Sequence, residues 1–148
     1  MYKISKKDLE IINNLIKTST IEYGGTLIKK GNTFFIDQIY EGYEDGIQLN
    51  IKGKYMFHLH THSSVKKNCG YNFPSLLDIK RIVDDTINHG VVAHIIFTPS
   101  KTFFIKSLRT TPIRISSKLL ELEMDVCSKN VSISKFIETF RKEKVFIE

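Results

Sequence analysis

The sequence predicts an α/β (α+β) domain, with a mixed, mostly antiparallel β-sheet flanked by helices. Three observations carry that expectation. β-Rich runs with short turns fill residues 20–61, a long apolar stripe at helical spacing follows at 75–89, and two further β-rich runs precede two more helical segments. The 148 residues are 41% hydrophobic and 26% charged, which is ordinary for one soluble domain with a real core. No repeat, low-complexity tract or Gly/Ser linker divides the chain, so residues 1–148 are expected to form a single domain.

Residues 6–18, KKDLEIINNLIKT, place Leu9, Ile12 and Ile16 on one helical stripe, with Leu15 offset from it. Residues 20–28 and 33–40 flank Lys29-Lys30-Gly31-Asn32 and predict a hairpin. Gly24-Gly25 inside the first run predicts a bulge or a close backbone approach. A short strand over 46–51 and another over 54–61 are expected next. Residues 75–89 carry Leu76, Ile79, Val83 and Ile87 on one face, and Gly90 is a stop signal. GVVAHIIF, ended by Pro99, suits a buried strand, and TFFIKSL is its expected hairpin partner. Residues 117–127 and 133–144 predict two closing helices.

No apolar run approaches the roughly 18 residues needed to span a bilayer, and the N-terminal MYKISKKDLEIINN lacks the apolar core of a signal peptide. The expectation is a soluble intracellular protein of the cytoplasm or nucleus, without a membrane partner. Cys69 and Cys127 form no CxxC pair and give no disulfide framework. The net charge of +6 comes from lysines spread along the chain, with no Arg-rich block, so a lysine-rich surface explains it better than nucleic-acid binding.

The chemistry concentrates in Phe57–Asp78, FHLHTHSSVKKNCGYNFPSLLD. On a strand, side chains alternate, so His58, His60 and His62 begin on one face and Leu59 and Thr61 on the other. Two imidazoles at i and i+2 can reach one zinc ion, and a catalytic zinc takes three protein ligands and keeps one position open. Asp78, one turn into the helix after the loop, is the nearest carboxylate placed to point back at the histidines. Ser75-Leu-Leu-Asp78 is equally a capping box, with Pro74 at the helix entrance. Both roles can hold together. A metal-activated water also needs a general base. Glu22, an acid in the apolar or small run Ile21-Glu22-Tyr23-Gly24-Gly25, is the upstream candidate; its alternative is a solvent-facing strand residue.

This pattern resembles the JAMM (MPN-plus) zinc metalloprotease family: a Glu near the start of the first strand, later a His-Ser/Thr-His-Pro, then a Ser-x-x-Asp. Glu22-Tyr-Gly-Gly-Thr-Leu, His60-Thr61-His62 and Ser75-Leu-Leu-Asp78 match those parts, and the resemblance covers roughly residues 6–106. It implies an MPN-like fold with cytidine deaminase-like layering, and one zinc ion per chain held by His60, His62 and Asp78. Glu22 would act as general base and pass the proton to the leaving amine, while Ser75 would hydrogen-bond the oxyanion. The implied activity is hydrolysis of peptide or isopeptide bonds. The implied partners are protein substrates, among them ubiquitin or ubiquitin-like conjugates, and larger assemblies. Two departures bear on specificity. Ser63 stands where the family has Pro, and twelve residues separate His62 from Ser75, a longer loop than usual.

His58 matches no ligand of that family and reads as a strand histidine. Cys69 reads as an incidental loop thiol, His89 as a helix C-terminal residue suited to the dipole, and His94 as structural. The opening HLHTHSS also resembles the His-x-His-Thr motif of PHP phosphoesterases, which implies a multinuclear metal site. Against it, 57 residues precede His58, and Phe97-Thr98-Pro99-Ser100 stands where the next motif belongs. A non-catalytic MPN scaffold is the other alternative; relatives of that kind lose the Glu or the ligands, whereas all five residues stand here.

Overall fold

The computed structural model describes residues 2–43, 47–50, 52–62 and 72–148. Seven strands form one mixed sheet in the order β1-β3-β2-β4-β5-β6-β7, and four helices accompany it among the described residues. The strands are β1 (Lys3–Ile4), β2 (Tyr23–Lys30), β3 (Thr33–Glu41), β4 (Tyr55–Leu59), β5 (Ala93–Phe97), β6 (Thr102–Ser107) and β7 (Val145–Ile147). The helices are α1 (Lys6–Thr18), α2 (Leu76–His89), α3 (Ser117–Cys127) and α4 (Ile133–Lys142). β1–β3 and β4–β5 pair parallel; the other four pairs are antiparallel.

Each helix begins at a serine whose hydroxyl accepts an amide hydrogen from the first turn: Ser5, Ser75, Ser116 and Ser132. Asp8 does more than support its own helix. Its Oδ2 accepts the Ile36 amide at 2.9 Å, tying α1 to β3. α2 ends where Gly90 turns left-handed at φ +65°, a conformation a side chain would strain.

The β2–β3 hairpin turns through Gly31-Asn32, with Gly31 at φ +62°. The expected irregularity near the glycines is present as a register shift between Thr26 and Leu27. The close approach is there too. A Cβ on Gly25 would stand 1.8 Å from the Gln38 carbonyl oxygen, and one on Gly24 would stand 2.9 Å from that of Phe57.

Alternation divides the core. Phe57, Leu59, Ile95 and Phe97 pack with Ile12 and Ile16 of α1 on one face. Ile96, Phe103 and Ile105 face the other way, toward Ile79 and Val83 of α2 and Phe136 and Phe140 of α4. β5 is covered on both faces, which is why its sequence is continuously apolar apart from His94. Fully burying each such Phe or Ile contributes about 1.5–3 kcal/mol.

The structure departs from the sequence expectation at three places. Residues 47–50 are not a strand, and 46 and 51 lie outside the described residues. The two short edge strands β1 and β7 were not expected; two or three residues carry no period of their own and take strand form because β3 and β6 offer free edges. Cys127, closing α3, is disulfide-bonded, although the sequence gives no disulfide framework. No helix among the described residues is long and apolar enough to cross a membrane.

Candidate metal centre

The end of β4 and the first turn of α2 meet on the α2 side of the sheet. His58 lies in β4, and His60 continues its ladder, its amide donating to Phe97 O at 2.7 Å. Phe57 and Leu59 are buried on the α1 face, so alternation sends both imidazoles toward α2. Their ring centroids are 5.2 Å apart. Asp78, at N3 of α2, reaches both: Oδ2 lies 3.0 Å from His60 Nε2 and Oδ1 lies 3.3 Å from His58 Nε2.

Asp78 also keeps its structural role. The Ser75 amide donates to Asp78 Oδ2 at 3.0 Å, and the Asp78 amide donates to Ser75 Oγ at 3.1 Å. The capping box is thus complete. The cap fixes the carboxylate's direction, and the two histidines take the oxygen edges it presents.

His58, His60 and Asp78 are 8%, 5% and 9% exposed, and their ligand atoms all lie within 4.8 Å of one another. Tetrahedral ligands at zinc distances stand about 3.3 Å apart, so the observed spacings suit a common ion with small adjustments. His58 Nε2 supplies a second sign. It is buried and finds no hydrogen-bond partner among the described residues, because Asp78 Oδ1 is near but misaligned. A buried polar atom without a partner is costly, and a metal ion would satisfy it. The residues therefore fit a metal, and two imidazoles with one carboxylate form a donor set that zinc accepts. Burial works against ionisation of Asp78, but the neighbouring His58 and His60 outweigh it and hold the carboxyl well below the usual range.

The residues singled out in the sequence fall into two groups. His60 and Asp78 are brought together, and their third companion is His58. His62 is exposed and takes no part in the group. Ser75 sits at the cap, its hydroxyl beside Asp78. Glu22 is buried just before β2, and its backbone continues the ladder through the Tyr43 and Gly42 pairings. Tyr23 pairs with Leu59 and Gly24 with His58, so one step outward Glu22 stands opposite His60, on the histidine face. Gly24 leaves room there, since a Cβ would come 3.2 Å from that of His58. Cys69 and most of the long loop, residues 63–71, lie outside the described residues.

Two residues of this region stand apart from the sequence expectation. The family motif starts at His60, yet His58 is the histidine that joins His60 at Asp78; the plain alternation of three histidines is its signal in the sequence. Asp85 follows Asp78 by two helical turns on the same buried face of α2, a spacing that the sequence does show. Asp85 pairs with Lys52 at 3.2 Å and lies 3.7 Å from His94 Nε2. Compared with known proteins, the chain matches no family model and no curated protein.

Proposed function

We propose that the chain is a zinc-dependent hydrolase of peptide or isopeptide bonds, built on the JAMM (MPN-plus) plan. The observation that carries this reading is the buried His58–His60–Asp78 group, with His58 Nε2 beside Asp78 but not hydrogen-bonded, and the acid Glu22 on the same sheet face. The order helix, hairpin, histidine strand, capped helix, two strands is the chain order expected from the resemblance, which supports this reading.

His58, His60 and Asp78 would hold one zinc ion, which when bound supplies Lewis-acid activation of water and of the scissile carbonyl. Glu22 takes a proton from the attacking water as its oxygen bonds to the carbonyl carbon, then delivers that proton to the amine as the C–N bond breaks. Ser75 Oγ already accepts the Asp78 amide, and its own hydrogen donates to the developing oxyanion. Protein substrates, with ubiquitin or ubiquitin-like conjugates among them, follow from the resemblance, as does work within a larger assembly.

The test is cleavage of isopeptide-linked dimers and ubiquitin-like fusions, with and without a chelator. Cleavage should stop with the chelator, return with zinc, and be lost in Glu22→Gln while zinc is retained. Activity that survives Glu22→Gln would remove the assigned base.

One observation favours a second reading. His58-Leu59-His60-Thr61 is the His-x-His-Thr spacing of the PHP phosphoesterases, and these are the two histidines that meet. That reading calls for several metal ions, whereas the described residues form one ligand group on an open sheet that ends in β1 and β7. Two or more ions per chain, with turnover of a phosphoester, would decide for it.

A further inference from the structure

Behind the metal group, a buried polar seam runs along the interface between α2 and the sheet. His94 lies on β5 opposite Met56, diagonal to His58 and on the same face. Asp85 meets it from α2, and Lys52 pins Asp85 through both oxygens, at 3.2 and 3.3 Å. His94 is 5% exposed, and its Nε2 has no hydrogen-bond partner among the described residues, since Asp85 Oδ2 at 3.7 Å is too far.

Between the two stations lies a small space of about 20 Å³, lined among others by His58, Asp78, Asp85, His94, Lys52 and Met56. Roughly 10–15 Å³ is enough for one water, which also needs two to four polar partners. The walls supply them in His94 Nε2, the Asp85 carboxylate and the Asp78 Oδ1–His58 edge. A second cation is a poor occupant, because Lys52 and Arg81 bring positive charge to the same wall. Burial also pushes His94 down to about 3, so it stands there as a neutral imidazole with one nitrogen to donate and one to accept.

We propose that this cavity holds one ordered water linking His94 and Asp85 to the His58–Asp78 edge, and that His94 is thereby a positioning residue for the metal group. This rests on the proposed metal site for its consequence, though not for its geometry. Partners behind metal-binding histidines orient the ring, and their loss typically weakens metal binding 10–100-fold. His94→Leu removes the polar nitrogen and keeps an apolar filler, whereas His94→Gln restores a donor and an acceptor.

The experiment has a metal-free arm and a zinc arm. Long-range ¹H–¹⁵N spectra of the histidine rings are recorded on metal-free wild type, His94→Leu and His94→Gln, and zinc affinity is measured on the same three proteins. The His58 ring signals should move in His94→Leu and return toward wild type in His94→Gln. Zinc affinity should fall 10–100-fold in the first and stay near wild type in the second. Unchanged His58 signals in His94→Leu, or equal effects of Leu and Gln, would overturn the link. If wild type binds no zinc, the proposed function fails while the metal-free spectra still decide the seam. If His94→Leu does not fold, a high-resolution crystal structure of wild type decides: density for a water in the cavity supports the link, and an empty cavity refutes it.

Discussion

Replacing His58 and His62 separately by alanine is the sharpest test of the metal centre, because the two histidines are exchangeable by motif and opposite in placement. His58 is buried with Nε2 3.3 Å from Asp78 Oδ1. His62 is exposed and outside the group. Small structural zinc sites bind with an apparent 10–16 kcal/mol from four ligands, or about 2.5–4 kcal/mol per ligand. Losing His58 should therefore weaken zinc roughly 10²–10³-fold. An exposed substitution is usually worth no more than about 0.5 kcal/mol, so His62→Ala should change zinc affinity only about twofold. Competition against a chromophoric chelator measures both, and the melting temperature of each metal-free variant separates ligand loss from unfolding. If His62→Ala weakens zinc as strongly as His58→Ala, or His58→Ala leaves it unchanged, the buried group is not the ligand set.

Glu22→Gln should bind zinc like wild type and lose about 10²–10⁴-fold in hydrolysis, the usual share of a general base; a chelator titration beside a cleavage assay checks both. Asp78→Ala removes the cap carboxylate as well as the ligand, so zinc binding should vanish and the metal-free protein should lose about 1–2 kcal/mol from the cap alone, read by urea unfolding. Metal-free stability should fall with acid in two stages. His94 is depressed to about 3, so between about 6.5 and 3 the unfolded chain takes up a proton that the folded one refuses, costing about 1.4 kcal/mol per pH unit. Asp78 lies well below the usual range, so its contribution is intact above about 3.9 and is lost as pH falls through its folded value. Melts of His94→Gln across this range should lack the first stage, and a wild-type curve flat from 6.5 to 4 would contradict it. Gly25→Ala would press a Cβ to 1.8 Å from the Gln38 carbonyl oxygen. It should cost about 3 kcal/mol, or roughly 6–12 °C in a thermal melt.

Local signals carried much of this protein. The serine before α2, Gly90 after it and the apolar stripes of α1 and α2 each stand within one element, so propensity and period suffice to read them. The strands β2 to β6 were legible for the same reason, and so were Asp78 and Ser75 as a pair, since a capping box spans four residues. The edge strands β1 and β7 were not, because their pairing with β3 and β6 joins segments far apart in the chain. The choice among three alternating histidines was equally beyond a local reading. All three share a face while the strand lasts, and β4 ends at Leu59. Only the packing of α2 on β4 decides which two imidazoles the Asp78 carboxylate meets. The second station, Asp85 with His94 and Lys52, joins three elements that no spacing in the sequence relates. The sequence by itself determined the residue types and the local geometry of cap, turn and strand; the tertiary structure decided which of those side chains share one buried space, because that depends on contacts between distant segments.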